Sequence, residues 1–583
     1  MDALTCSRYI LMWGSARDTT ANEAAQARAR SVGLHPLAEN LPGGASLLVS
    51  AHTPTAGVPE GGLVIGQLFH RNGNRLLGPR DFPNLRGSAE VRHYILEQCW
   101  GDYILCQPQP DESSVLVMRD PSGAVPCIYA SDEEGGFVTS DIPLATALGN
   151  YEPRLDWEYI GFSLQHTHLK TQQTGLSRLL ELLPGMSLRV GRSRPVLGEE
   201  WTPWKFVAAD FRHDAPVEAA SDVRRAITSV TAALANIDGS ALLELSGGLD
   251  SSIIGACLRG ANARIVCCNL STPVPGAVEC DYASAVADTI GAKLLVRELC
   301  IEDARYSFPP PPCAVRPRVW ALQYAVDAVM EASARSEQVT SHYSGAGGDS
   351  VFGYIRSAAP IADALREGGL RKGATAIRAL STVHGCTLWK AGTLAAKKLL
   401  SAPKPPSSGD HSFLRRHREA QPVEMHPWFS QPLFALPGDA ERVFGLAGNQ
   451  LFREGIARGA RRPYRMPLLS QPVMEACLRV PSWMWFTGGQ NRAVARIAFR
   501  DLLPRKVLAR RSKGTFIGYS GAIYRHNRSG IRDFLLNGQL QARGMLDTDA
   551  LRVLLDDEST PANKSLLRVF DLCMVENWVR HHA

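Results

Sequence analysis

The sequence predicts an α/β protein in two unlike parts: a strand-rich amino-terminal unit, then a parallel sheet covered by helices. Three observations predict it. At 583 residues the chain is too long for one core. Over its first two hundred or so residues, short apolar or alternating runs (GGLVIGQLF, DYILCQ, SVLVMRD, GFVTSD, GMSLRVG) are separated by Gly, Pro and Asp turns. Beyond that, short apolar strands alternate with helical segments, the pattern of βαβ units.

In chain order, the texture changes near Ala208. There the polar bridge AADFRHDAPVEAASDV leads into the amphipathic helix VRRAITSVTAALANI, which places a domain boundary between 1–207 and 208–583. The strands ALLELS, RIVCCNLS, KLLVRELC and QVTSHYSG follow, with helices such as DYASAVADTIG between them. Phe308 to Cys313 reads FPPPPC, a stiff polyproline turn. SAPKPPSSGDHS, at 401–412, reads as a flexible insertion. The remainder is mostly helical, ending in SLLRVFDLCMVENWVRHH.

Composition excludes several classes. Lys and Arg outnumber Asp and Glu by only 63 to 57, too thin a margin for a nucleic-acid partner. The 13 cysteines form no C-x-x-C pair, and the adjacent Cys267 and Cys268 cannot easily share a tetrahedral zinc. Cys257, inside IIGACL, reads as a small buried thiol. A reduced, cytoplasmic protein is expected. The amino terminus has no basic secretory n-region, and nowhere are there eighteen consecutive apolar residues, so neither a signal peptide nor a membrane span is expected.

The informative segment is ALLELSGGLDSSIIGACLRG: a strand through Leu245, a Gly-rich turn from Ser246 to Asp250, and a helix from Ser251. Gly247 and Gly248 let backbone N–H groups approach an anion closely. Ser246, Ser251 and Ser252 add hydroxyl donors, and the helix directs its free N–H groups and positive dipole end to the same place. A polyphosphate fits there. The Walker pattern is absent and no Lys occupies the loop, which excludes an ordinary P-loop kinase or GTPase.

SGGLDSS resembles the pyrophosphate loop of the ATP pyrophosphatases, in the form found in asparagine synthetases and β-lactam synthetases. Ser344 to Tyr354, SGAGGDSVFGY, is similar to that family's SGEGxDExFGGY; RRPYRMPLLSQPVMEACLRVP is similar to its RxPFLD run. NRAVARIAFRDLLPRKVLARRSKGTF resembles the segment carrying its catalytic lysine, and together with STPVPGAVECDYASAVAD these cover most of residues 220 to 520 in order. The resemblance implies a PP-loop synthetase domain with a helical extension. It implies that Leu245, Ser246, Gly247, Gly248, Asp250, Ser251, Ser252, Gly345 and Gly347 bind ATP. Asp250 and Asp349 would hold Mg²⁺, and Lys513 would stabilise charge developing at the α-phosphate and acyl oxygen. Residues 491 to 514 hold eight Lys or Arg against only Asp501, so composition does not decide which points inward.

WGDYILCQPQPDESSVLVMRDPSGAVPCIYASDEEGGFVTSD resembles the glutaminase-domain run of asparagine synthetases, and ELLPGMSLRV and EEWTPW its turn and exit. The implied fold is a degenerate Ntn-hydrolase-like αββα sandwich. Glutamine hydrolysis there needs a cysteine as first residue. Here Met1 precedes Asp2, and Cys6 would serve only after loss of five residues, so a dead glutaminase is expected. A second departure is Ala346, where asparagine synthetases have Glu and β-lactam synthetases Tyr; a methyl group takes no proton. His384 lies at about the distance of a partner for such a base, but a lone His is more often surface or core. His166 and His168 lack a third ligand and read as a surface loop. Trp483, Trp485 and Phe486 read as core.

A degenerate amino domain, an intact adenylating domain and a GxGGD segment without its base together resemble the lasso peptide cyclases. That resemblance implies an AMP- and pyrophosphate-forming ligase that adenylates an Asp or Glu side chain of a precursor peptide and closes an isopeptide bond with the peptide's amino terminus. Its partners would be the core peptide, a leader peptidase and leader-recognition proteins, without nucleic acid or membrane span. The alternatives are a β-lactam or asparagine synthetase-type amide ligase and a non-catalytic nucleotide-binding scaffold.

Overall fold

A computed structural model describes residues 7–14, 27–111, 113–167, 169–191, 193–274, 279–317, 323–354, 357–401, 403, 409–415, 424–511, 514, 516–557, 559 and 561–583. Cys6, His168, Lys513 and residues 402 and 404–408 of the expected insertion lie outside them.

The amino-terminal part holds two antiparallel sheets. One joins β1 (Tyr9–Gly14), β2 (Leu34–Leu41), β3 (Ala45–Ser50), β9 (Ile128–Ser131), β10 (Gly135–Thr139) and β11 (Leu180–Glu181) in the order β11-β9-β10-β1-β3-β2. The other joins β4 (Thr55–Val58), β5 (Gly62–His70), β7 (Cys99–Pro108), β8 (Ser114–Arg119), β12 (Met186–Gly191) and β13 (Val196–Glu199) in the order β13-β12-β8-β7-β5-β4, with β6 (Arg75–Leu76) on β5. Strand alternation explains why they face one another. Tyr9, Leu11 and Trp13 of β1 share a core with Ile104, Cys106, Val115 and Val117 of the second sheet. The intervening residues point outward: Ile10 packs with Ile142 and Leu144 of α2 (Ile142–Ala147), and Leu105 and Met118 with Val91 and Ile95 of α1 (Ser88–Gln98).

α3 (Pro216–Asp238) opens the second part. It starts with Pro in its first turn and stops at Gly239 with φ 70°, as the asymmetry of helix ends favours. Its Ala220, Val223, Ile227, Val230 and Leu234 recur three or four apart and are buried. The sheet that follows has five strands: β14 (Ser240–Glu244), β15 (Arg264–Ser271), β16 (Lys293–Glu298), β17 (Ser341–Ser344) and β18 (Tyr464–Arg465), in the order β16-β15-β14-β17-β18. Every pairing is parallel. Both faces are covered: Leu243 packs with Ile253 and Ile254 on one side, Leu242 with Val266 and Met330 on the other. Burial on both faces is why ALLEL and RIVCCNL read as continuous apolar runs. Four of the five strands were legible. The two-residue β18, inside RRPYRMP, was not, because it lacks any periodicity of its own. α8 (Ile517–Leu536) and α9 (Asn563–His582) pack together as a helical extension, sharing Ile531, Leu535, Leu572 and Val579 in one core.

The two parts meet through buried ions. Glu181, at the end of β11, takes Arg119 of β8 at 2.5 Å and Lys170 at 2.7 Å, and pairs with Arg316 from the second part. Glu454 pairs with Arg316 at 2.8 Å and also with Lys170. Arg465 of β18 bridges Asp102 of β7 at 2.9 Å and Asp238 at 2.8 Å. Beside Asp102 and Arg465 the parts form a partly open pocket of about 200 Å³ lined also by Arg8, Gln67 and Arg453.

No helix among the described residues is long and apolar enough to cross a membrane. Cys257, Cys267 and Cys268 are buried free thiols.

Candidate active site

The sheet order is third-second-first-fourth-fifth in chain sequence, so its direction reverses between β14 and β17. Loops leaving the carboxyl ends of those two strands flank a crevice, the usual ligand position in an open parallel sheet. They are the two loops the sequence singled out.

Leu245 is anchored on both sides: its N–H donates to the Cys268 carbonyl at 2.8 Å, and its carbonyl accepts from Asn269 Nδ2 at 2.8 Å. The chain then turns through Gly247 at φ +66°, and Gly248 caps α4 (Leu249–Leu258). A Cβ on Gly247 would stand 2.5 Å from the Cβ of Tyr282, at the start of α5 (Cys280–Ile290), so both conformation and space demand glycine. Ser246 is exposed, and its Oγ lies 3.1 Å from Ser251 Oγ and accepts from Gly248 N–H at 3.3 Å. These hydroxyls and the first-turn amides of α4 converge at the helix's positive end. Ser252 differs: it is fully buried and its hydroxyl donates to the Gly248 carbonyl at 2.7 Å, so in this arrangement it braces the turn.

The second loop lies directly against the first. A Cβ on Gly345 would be 2.5 Å from the Ser251 nitrogen, and one on Gly348 would fall on the Asp250 carboxyl. Gly347, at φ +89°, leads into the short helix carrying Asp349. Gly345→Ala must therefore push the loops apart; an overpacked contact of this kind costs about 1–3 kcal/mol. The expected result is a lower melting temperature together with weakened ATP binding by calorimetry. Unchanged values for both would show that the contact is slack.

Asp250 and Asp349 converge on a common point. Arg492 Nη1 lies 2.9 Å from both Asp250 oxygens and 3.3 Å from Asp349 Oδ1. Two carboxylates close enough to share one nitrogen are close enough to share one cation. No cluster of three His, Cys, Asp or Glu side chains able to hold a metal occurs among the described residues. Two carboxylates completed by phosphate oxygens and water suit Mg²⁺ and fit a metal that arrives with a nucleotide.

The structure sorts the basic run. Arg496 of α7 (Ala493–Ala498) is buried and donates to the carbonyls of Asn491 at 2.9 Å and Arg510 at 3.0 Å, and to that of Leu508, clamping the segment. Burial, with the neighbouring Arg492 charge, pulls its guanidinium down to about 10. Arg510 stacks on Tyr282 at 4.3 Å, donates to the Gly247 carbonyl at 3.2 Å and pairs with Glu279 at 2.7 Å. Arg500, Arg505, Lys506 and Arg511 are exposed. Gly514 N–H also donates to Glu279, at 3.2 Å. Sequence reasoning missed the roles of Arg492, Arg496 and Arg510, and nothing in the spacing of the run distinguished them.

Ala346 is half-buried, its N–H on Ser344 Oγ at 3.2 Å. His384 is exposed at the end of α6 (Ala359–His384). The His166 ring lies tilted against Phe162, with centroids 4.8 Å apart. Trp485 and Phe486 are fully buried, with Trp483 partly so.

An all-parallel sheet with two interlocked glycine-rich loops at its switch point defines an α/β protein with its ligand crevice at the strands' carboxyl ends. The chain belongs to the asparagine synthase family, whose model matches residues 222–580, and the family is one of ATP-dependent amide ligases. No curated protein matches the chain. Among solved structures, the allosteric regulatory enzyme of purine biosynthesis matches with 10% identity over 52% of this chain and 82% of that one, at a TM-score of 0.23. Glutamine phosphoribosylpyrophosphate amidotransferase from B. subtilis, complexed with ADP and GMP, matches with 10% identity over 51% of this chain and 91% of that one, at a TM-score of 0.24.

Proposed function

We propose that this ligase closes a macrolactam in a ribosomally made peptide, as lasso peptide cyclases do. Residues 208–583 act as the synthetase, and residues 1–207 as a degenerate glutaminase-like unit that supplies no ammonia. The observation that carries the reading is the pairing of an intact Asp250–Asp349 site with Ala346, which puts no proton acceptor at that place on the second loop.

Ser246, Ser251 and the amides of Gly247 and Gly248 hold the polyphosphate, with Leu245, Gly345 and Gly347 shaping its cradle. Asp250 and Asp349 would hold Mg²⁺, which neutralises phosphate charge. A side-chain carboxylate of the core peptide attacks the α-phosphorus, forming an acyl adenylate and expelling pyrophosphate. The peptide's α-amine then attacks the acyl carbon and expels AMP, so the peptide loses one water. Lys513 offsets negative charge in both transition states. A peptide α-amine has a reference pKa near about 7.7–8.0, so a useful fraction is neutral near pH 7 without a dedicated base. Its proton leaves with phosphate or solvent. Leader peptidase and leader-recognition proteins would supply the trimmed peptide.

The test is mass spectrometry of a leader-free candidate peptide with ATP. The expected product is one water lighter, appears with AMP and pyrophosphate, and is absent with Asp349→Ala. Orthophosphate with ADP would overturn the reading. Exchange of pyrophosphate into ATP that depends on free aspartate, with no peptide turnover, would instead establish the asparagine synthetase-type alternative.

A further inference from the structure

We infer that Arg492 is a resident counter-ion of the carboxylate pair, occupying the point a divalent cation takes and yielding it when metal and nucleotide enter together. The inference rests on the proposed role of Asp250 and Asp349 and names how their site is regulated.

Four observations converge on it. A single nitrogen of Arg492 contacts both oxygens of Asp250 and one of Asp349, so side chain and metal claim the same ligands. The Arg492 side chain is only 12% exposed and that of Asp250 16%, so their attraction is poorly screened. Its Nε is buried without a hydrogen-bond partner, leaving a donor to be satisfied by some other arrangement. Its backbone stands at φ +57°, in the left-handed region that a branched or long side chain seldom occupies. Such a backbone persists where surrounding contacts hold it, here the carboxylates ahead and the Tyr354 ring 5.4 Å from the guanidinium carbon.

The consequence is an ordering of ligands. Without nucleotide, two carboxylates near one another would repel; Arg492 neutralises part of that charge and keeps them converged. A free divalent cation must displace a guanidinium from its own ligands and so binds weakly. A metal arriving on a polyphosphate brings anionic oxygens to which the released guanidinium can turn, so displacement is offset. The site thus discriminates metal–nucleotide from free metal.

The measurement is Mn²⁺ binding to the full chain without nucleotide, by electron paramagnetic resonance. Arg492→Gln is expected to tighten Mn²⁺ by about tenfold, the scale of one charge-assisted contact. Arg492→Gly, which relieves the left-handed backbone, should do the same and guards against a folding defect. Arg492→Lys should fall between. Adding Asp250→Asn to either variant should abolish the gain. Equal or weaker Mn²⁺ binding in folded Gln and Gly variants would overturn the inference, because loss of a merely structural contact gives no gain. The readout needs neither peptide nor turnover, so it stands or falls separately from macrolactam formation.

Discussion

Asp250→Asn is expected to reduce pyrophosphate exchange into ATP by about 10²–10³-fold, and Lys513→Met by a similar factor, the scale of removing one group aimed at developing charge. Asp250 sits in the first turn of α4, with the backbone of the second loop pressed against it, and it faces the point shared with Asp349 where Arg492 lies. Asn keeps that shape while removing the charge. The double variant should lose little more than the worse single one, since groups acting on one transition state are not additive. Asp501→Asn, an exposed acid paired with Arg224, is the control and should leave exchange unchanged. If Asp250 served only as a structural partner of Arg492, the melting temperature would fall while exchange persisted. Measuring both separates the two roles.

The second large effect concerns stability. Glu181→Ala is expected to cost about 3–5 kcal/mol in urea unfolding, because removing one partner strands buried charge. Lys170 and Arg316 would then keep Glu454 as a partner while Arg119 loses its carboxylate pair, with side-chain exposures of 1%, 2% and 6%. Burial by itself would push the Glu181 carboxyl up, but Arg316, Lys170 and Arg119 together hold it well below its ordinary value. The sign for pH follows. A depressed carboxyl stabilises the fold above its unfolded value, near about 4.3, and that contribution is lost as pH falls below it. The wild-type chain should therefore lose stability steeply on acidification below that point, and Glu181→Ala should lose less over the same range. Parallel acid profiles for the two would show that the network carries no such linkage.

How much was legible follows the distance over which each feature is written. The first glycine-rich loop lies within seven residues, and every property expected of a phosphate cradle is local: glycines for φ and space, hydroxyls, a strand before and a helix after. The second loop is equally local. Their convergence was implied by resemblance; the reason for it is topological, since β14 and β17 are neighbours only because the sheet doubles back there. Ser252 shows the limit: its hydroxyl suits a phosphate, but side-chain direction within the helix turns it to a carbonyl.

Charge was least legible. Eight cations in one run are indistinguishable by composition, yet one lies on the two acids, another is buried on carbonyls and a third rests on an aromatic ring and the loop. The Lys170–Glu454 pair spans 284 residues, and no pattern at that separation marks it. By itself the sequence determined the α/β class, four of the five parallel-strand segments and the glycine-rich turns of the two loops, because periodicity and turn residues act between near neighbours. Which cation meets which anion was decided only by the tertiary structure, since burial and proximity, the two quantities that set an ion pair's strength, exist only once distant segments have packed.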